Sequence, residues 1–178
     1  MIEQLLEIMR KRKCVRRFKP DPVPDDYIEK VLEAGRLAPS GANAQPWEFL
    51  VVKDEKTRRE IEAIFTAARE AAKMTDDFPS GDGTNVRTAQ AMIVVCGDPR
   101  FNEAYPYDSH SHEIYIMSLA NVIEHMHLAA TALGLGSCWC TVRRSVDKKL
   151  KGLFNIAEPF DIHELVLLGF PEGEPKGT

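Results

Sequence analysis

Long apolar runs are missing from this sequence of 178 residues. No stretch approaches the ~18 apolar residues that a membrane-spanning helix requires, and Met1 is followed by Ile2-Glu3-Gln4 instead of the apolar core of a signal peptide. The four cysteines form neither a disulfide framework nor paired CxxC motifs. We therefore expect a protein of the reducing cytoplasm that has no membrane partner.

A strong excess of one charge is also missing. The 27 acidic and 23 basic residues give a net charge of −4, and the lysines and arginines are dispersed along the chain. A nucleic-acid-binding surface concentrates positive charge, so no nucleic-acid partner is expected. The length and the 44% hydrophobic content predict one domain over residues 1–178 with a sizeable core.

Motifs for self-contained catalysis are absent from the sequence as well. It has no GxSxG elbow, no Walker motif and no recognisable pair of catalytic carboxylates. Gly134-Leu135-Gly136 begins like a dinucleotide fingerprint, but the third glycine would fall at Trp139. The motif also ends a predicted helix and opens a strand, the reverse of the Rossmann arrangement. Difficult chemistry would therefore have to come from a cofactor.

A basic cluster at residues 12–18 reads Arg-Lys-Cys-Val-Arg-Arg-Phe and precedes the helix-breaking Pro20. In an extended segment Arg12, Cys14 and Arg16 share one face. Two guanidinium groups on one face could hold a phosphate bidentately. The alternative is a solvated basic patch.

A second cluster, residues 39–47, reads Pro-Ser-Gly-Ala-Asn-Ala-Gln-Pro-Trp. In an extended run Ser40, Asn43 and Gln45 would present a hydroxyl and two amides to one side, which suits a planar heterocycle with carbonyls and ring nitrogens. Gly41 would give the backbone freedom to face a ligand. The alternative is an ordinary turn before a strand.

Hydrophobic periodicity predicts alternating helices and strands. The segment 91–96 is almost wholly apolar, as in a central strand buried on both faces, and Gly134 is a natural helix stop. Residues 73–88 lack periodicity and could form a lid. Helices are predicted at about 2–9, 25–38, 54–72, 113–133 and 146–153, and strands at 48–52, 91–96, 137–142 and 163–169.

These pieces together resemble the nitroreductase family of flavin mononucleotide (FMN) enzymes. The matching segments are 12–24, 38–47 and 132–139, in the family's order. The resemblance implies an α+β fold with a mainly antiparallel central sheet flanked by helices, and an intertwined homodimer with FMN sites at its interface. It also implies NADH or NADPH as the electron donor and a small nitroaromatic or quinone acceptor, reduced by a ping-pong mechanism.

The same resemblance implies the cofactor-binding residues. Arg12, Lys13 and Arg16 would anchor the phosphate and ribityl chain, with Cys14, where the family commonly has serine, beside them. Further contacts would come from Pro39, Ser40, Gly41, Asn43 and Gln45 of the partner subunit, from Gly136, Ser137, Cys138 and Trp139 along the flavin, from Lys176 in the tail, and from the candidates Asn85 and Arg87.

Several alternatives stay open at the level of sequence. The chain could be another reductive flavoenzyme, a dehalogenase or a flavin-fragmenting enzyme, or a flavin- or metal-binding protein without turnover. Both histidine pairs are two residues apart, but His125 and His127 lie on a predicted helix, where residues at this spacing point away from each other. Only His110 and His112, in an extended loop, could share a metal, and no native metal is expected. Tyr107 and His110 are candidates for the substrate pocket. The thiols of Cys138 and Cys140 are expected to pack in the core.

Overall fold

The computed structural model describes residues 1–72, 84–101 and 110–173. The helices and strands of this part largely follow the predicted pattern. The helices are α1 (Ile2–Lys11), α2 (Asp25–Arg36), α3 (Glu55–Ala71), α4 (Thr84–Thr88), α5 (Ser111–Ala132) and α6 (Arg144–Phe154). The strands are β1 (Trp47–Val52), β2 (Ala91–Gly97), β3 (Gly136–Thr141) and β4 (Asp161–Gly169).

The four strands form one antiparallel sheet in the order β1-β2-β4-β3. The whole of β2 is buried, as its apolar sequence predicts, because it is a central strand with both faces covered. The neighbouring β4 pairs Leu165 with Val94 on one side and with Cys140 on the other. Helices flank this sheet, so the predicted fold class is confirmed.

An apolar layer covers each face of the sheet. On one face α2 and α5 pack with Ile93, Val95 and Val166. A Cβ atom at Gly35 of α2 would lie 2.6 Å from the Cε atom of Met126, so glycine lets the two helices approach closely. On the other face residues of α3 and α6 pack with the opposite side chains of β2 and β4. The core therefore lies on both sides of the sheet.

The ends of the helices follow local chemistry. The side chain of Asp54 accepts a hydrogen bond from the backbone N–H of Thr57, 2.7 Å away, and caps α3 as predicted. Gly134, with a φ of 75°, follows the end of α5 and confirms the predicted stop. α2 ends at Arg36, two residues earlier than predicted.

The prediction of an irregular loop over residues 73–88 is wrong for residues 84–88, which form α4. Five residues make little more than one helical turn, too few for periodicity to reveal. The remainder of the predicted lid, residues 73–83, lies outside the described residues. Among the helices that the structure describes, none is long and apolar enough to cross a bilayer.

The segment after α1 is extended, as predicted, and lies along β3. Cys14 forms a parallel bridge with Ser137, and the backbone N–H of Val15 donates a hydrogen bond of 2.8 Å to the Ser137 carbonyl. Farther along, Phe18 bridges Pro171 in the antiparallel sense. These bridges fix the basic cluster against the sheet.

Candidate functional site

A cavity of about 360 Å³ opens between the extended segment, α3, α4, β3 and the start of α6. This volume lies within the range of small-molecule sites. Arg16, Arg69 and Arg143 contribute positive charge to its lining, and no described lining residue carries a carboxylate. The apolar part of the wall includes Phe65 and Val146. The cavity therefore suits a ligand with an apolar ring and an anionic group.

Alternation along the extended segment selects which side chains reach this cavity. Cys14 and Arg16 line it, while Val15 between them does not line it and is buried in the apolar core. A Cβ atom at Gly136 would lie 2.7 Å from the Cγ2 atom of Val15, so glycine permits the close approach of the two backbones. The predicted shared face of Cys14 and Arg16 is thus present.

Arg12 and Lys13 directly precede Cys14 and do not line the cavity themselves. Arg12 follows α1 as its C-cap residue, and both side chains are partly exposed. Within the described part of the chain, no residue forms a salt bridge with Arg12, Lys13 or Arg16. No carboxylate of the described residues neutralises their charge, so it is available to an anionic ligand.

Cys14 and Cys138 meet in the cavity wall, with their Sγ atoms 2.8 Å apart. The Nδ2 group of Asn85 donates a hydrogen bond of 3.6 Å to the sulfur of Cys138. The hydrogen bond with Cys138 and the charge of Arg16 lower the pKa of Cys14, whereas the same hydrogen bond and burial raise that of Cys138. Nothing in the sequence indicates this pair, because 124 positions separate the two residues.

Ser137 faces away from the cavity and towards α5. Its hydroxyl shares a hydrogen bond of 2.6 Å with the Nδ1 atom of the buried His127. Burial, with a contribution from the Arg12 charge, lowers the pKa of His127 to about 4. The His127 ring stacks on Trp139 with a centroid separation of 6.3 Å. His127 is therefore a neutral support for the cavity wall, a role that its position in the sequence does not suggest.

Of the four predicted residues in β3, Cys138 and Trp139 line the cavity. Trp139 leaves 42% of its surface exposed, which is unusual for tryptophan in a strand and offers a flat apolar surface. Gly136 packs against Val15, and Ser137 contacts His127. Cys138 thus faces the cavity, Ser137 contacts α5, and Trp139 contacts both.

Residues 39–45 correct another expectation, because Gly41–Asn43 is a short 3-10 turn and the run is not extended. Ala42, Asn43 and Gln45 have φ angles of 49°, 55° and 49°. Such left-handed angles in residues with side chains cost about 1–3 kcal/mol each and occur often at ligand sites. Glycine is needed at position 41 for steric reasons and not for backbone freedom, because a Cβ atom there would lie 2.3 Å from the Cγ2 atom of Ile114.

Contacts with α5 hold this turn in place. Ser118 accepts a hydrogen bond of 3.1 Å from the Gly41 N–H, and Asn121 donates one of 3.3 Å to the Pro39 carbonyl. The hydroxyl of Ser40 accepts from the Gln45 N–H at 2.9 Å. The exposed side chains of Asn43 and Gln45 do not line the cavity of their own chain, so this turn and the basic cluster belong to separate surfaces of one chain.

The remaining predicted residues are distributed as follows. His110 is exposed and directly precedes α5. Tyr107 and Lys176 lie outside the described residues. Asn85 lines the cavity, whereas the side chain of Arg87 donates to the Thr84 hydroxyl at 2.8 Å. In the part of the chain that the structure describes, no group of three or more possible metal ligands is present.

Sequence reasoning missed three charged residues near this site. Arg69 follows Phe65 by one helical turn on α3, and this spacing is the only signal that could have placed it beside the cavity. Arg143 precedes α6 in a segment without a motif. Glu164 on β4 has a buried Oε2 atom without a described hydrogen-bond partner, and burial raises its pKa to about 7.

Comparison with known proteins gives one consistent family. The model of the Nitroreductase family matches residues 9–170. A protein of Archaeoglobus fulgidus, provisionally named an NADH dehydrogenase/NAD(P)H nitroreductase, is 33% identical over 175 residues, covering 97% of this chain and 88% of that protein. The 5,6-dimethylbenzimidazole synthase of Rhodobacter capsulatus is 40% identical over 180 residues, covering 96% of this chain and 84% of the synthase.

A solved structure agrees with these sequence relationships. The crystal structure of a provisionally assigned nitroreductase from Desulfovibrio desulfuricans in complex with FMN superposes with a TM-score of 0.75. Its sequence is 25% identical, and the match covers 98% of this chain and 90% of that one. With the antiparallel sheet and the match over residues 9–170, the chain belongs to the nitroreductase family, as its motifs predict.

Proposed function

We propose that this protein is an FMN-dependent oxidoreductase that transfers electrons from NADH or NADPH to a small organic acceptor of nitroaromatic or quinone type. The observation that carries the proposal is the cavity in which Arg16, Arg69 and Arg143 surround an apolar wall. A cavity that combines arginine side chains with an apolar wall is what an anionic cofactor with a planar ring requires. The family relationship supports the same assignment.

The residues around the cavity fit FMN. Arg16, with Arg12 and Lys13 of the same segment, would hold the phosphate, since none of the three forms a salt bridge with a described residue. The amide of Asn85 and the flat surface of Trp139 would contact the ring and its polar edge. Bound FMN would accept a hydride from the nicotinamide donor and pass electrons to an acceptor that later occupies the same place.

In this scheme the protein residues would bind and orient the flavin and shield it from water. No Ser/His/Asp or Cys/His constellation is needed, because electron transfer is the cofactor's chemistry. The apolar wall would exclude water from the reacting ring, and this strengthens the attraction between the arginines and a phosphate. The neutral His127 behind Trp139 keeps that wall free of an additional charge.

We also propose a homodimer in which each subunit completes the other's site. Ser40, Asn43 and Gln45 lie outside the cavity of their own chain, and the left-handed φ angles of Asn43 and Gln45 are of the strained kind that clusters at functional contacts. α1 has no buried residue and exposes Ile2, Leu5 and Met9. A partner subunit would cover this apolar face.

A spectrum and a turnover assay test the proposal. The purified protein should carry about one FMN per chain, show the absorbance of a flavin, and lose it anaerobically on addition of NADH or NADPH. Addition of a nitroaromatic or a quinone should restore the absorbance. A colourless protein that also fails to take up added FMN would contradict the proposal, and flavin that no nicotinamide donor reduces would indicate a binding protein.

A second candidate function follows from the 40% identity to a 5,6-dimethylbenzimidazole synthase. The dimethylated benzene ring of that product is also the ring that a flavin carries, so the candidate is a flavin-fragmenting enzyme. Incubation of the protein with reduced FMN and oxygen separates the two functions. Stoichiometric appearance of 5,6-dimethylbenzimidazole with loss of flavin would favour the synthase, while catalytic acceptor reduction with the flavin intact would favour the reductase.

A further inference from the structure

The sulfur atoms of Cys14 and Cys138 are positioned for a covalent bond. Their separation of 2.8 Å is about 0.8 Å longer than the ~2.0 Å bond of a disulfide, and both thiols are free. We propose that Cys14 and Cys138 are a redox-active dithiol in the cavity wall, which hydrogen peroxide converts into an intramolecular disulfide and a thiol reductant restores.

The backbone, and not only the side chains, holds the pair together. Cys14 bridges Ser137, and the Val15 N–H donates to the Ser137 carbonyl at 2.8 Å. The close approach at Gly136 brings the same two segments together. Bond formation therefore needs only a small movement of two side chains, because the segments that carry them are already adjacent.

The surroundings give the two thiols different roles. Cys14 is partly exposed, and its hydrogen bond with Cys138, reinforced by the charge of Arg16 and Arg12, lowers its pKa. Cys138 is buried beside it, and both the hydrogen bond and burial raise its pKa. A thiolate is the reactive form of cysteine, so Cys14 is the attacking residue and Cys138 the resolving residue.

The oxidation balances with hydrogen peroxide as the oxidant. The Cys14 thiolate attacks one peroxide oxygen, the O–O bond breaks, and the hydroxide released takes a proton to become water. Cys14 is then a sulfenic acid. The Cys138 sulfur loses its proton and attacks the Cys14 sulfur, the S–O bond breaks, and a second water leaves. Two thiols have lost two electrons and one peroxide has gained them. Dithiothreitol reverses the reaction by thiol–disulfide exchange.

Cys96 and Cys140 provide internal controls. Burial raises the pKa of Cys96 to about 11 and that of Cys140 to about 12, so neither is a thiolate near neutral pH. Cys140 also lines the cavity, two residues from Cys138 on the same side of β3. A reaction governed by access alone would therefore involve Cys140 as well, whereas the proposed pair excludes it.

In the experiment, the purified protein is treated with hydrogen peroxide and its remaining thiols are then alkylated. The intact mass and a peptide map under non-reducing conditions are measured. The expected product lacks two hydrogens, leaves two of its four cysteines open to alkylation, and links the Cys14 peptide to the Cys138 peptide. Dithiothreitol should restore the starting mass. Cys96→Ser and Cys140→Ser should behave like the wild type.

Two further variants assign the roles. Cys138→Ser should stop at the Cys14 sulfenic acid, which dimedone labels, and Cys14→Ser should react with peroxide at least about 10-fold more slowly. A link to Cys140, over-oxidation of Cys14 without a disulfide, or no change of mass in the wild type would each overturn the proposal. Circular dichroism verifies folding; should Cys138→Ser not fold, the wild-type peptide map decides by itself.

Discussion

His127 on α5 and Ser137 on β3 share a hydrogen bond of 2.6 Å that fastens this 22-residue helix to the strand behind the cavity. Both residues are buried, so neither can exchange its partner for water. Ser137→Ala should lower the free energy of unfolding by about 1–3 kcal/mol, because the His127 Nδ1 atom loses its partner. Thermal unfolding measures this, with the exposed Ser145→Ala as the control. An equal, small loss in both variants would contradict the structural role.

The low pKa of His127 makes the free energy of unfolding depend on pH in the acidic range. The folded pKa of about 4 lies below the ordinary 6.5, so the unfolded state binds the proton more readily. Neutral His127 therefore contributes on the order of 3 kcal/mol to the free energy of unfolding above pH 6.5, and this contribution is lost as the pH falls towards 4. Denaturant titrations across this range should show a slope that His127→Asn removes. An unchanged slope would place the acid sensitivity elsewhere.

Glu164 should act in the opposite direction. Burial raises its folded pKa to about 7, so its contribution is present below the ordinary value of 4.5 and is lost as the pH rises through 7. Glu164→Gln keeps the shape of the side chain and abolishes this loss of stability at higher pH. Urea midpoints between pH 5 and 8 should fall less in the variant than in the wild type. Because the His127 and Glu164 effects oppose each other between pH 4.5 and 6.5, only the single variants separate them.

Arg16→Ala should weaken FMN binding by about 10-fold or more, because a charge-assisted contact with phosphate contributes about 1.5–3 kcal/mol. Arg17→Ala is the matched control, since Arg17 is exposed in the same segment but does not line the cavity. Fluorescence titration of the apoproteins with FMN gives both affinities. Equal losses in the two variants would mean a general loss of positive charge and not a specific anchor.

The proposed shared site links cofactor binding to assembly. If Asn43 and Gln45 reach the partner's flavin, FMN binds only the dimer and stabilises it by mass action. Sedimentation should show dimer dissociation at a higher protein concentration without FMN than with it. Asn43→Ala combined with Gln45→Ala should reduce this difference while leaving the fold intact, because both side chains are exposed. A holoprotein that sediments as a monomer would exclude the shared site.

The sequence by itself determined the local features and the family. The apolar run at 91–96, the cap at Asp54, the stop at Gly134 and the extended segment 12–18 all have local causes, namely side-chain period and turn chemistry. The motifs at 12–24, 38–47 and 132–139 were sufficient to identify the family, because they follow one another in the family's order. They also identified Cys14 and Arg16 as neighbours on one face.

Only the tertiary structure decided which distant residues meet. The sheet order β1-β2-β4-β3 and the bridge from Cys14 to Ser137 bring Cys14 to Cys138 across 124 positions, and no local pattern carries that information. The turn at 41–43 likewise depends on contacts with α5, which override the extended conformation that alternation favours. Periodicity records the face on which a side chain lies, whereas the partner on that face is set by long-range packing.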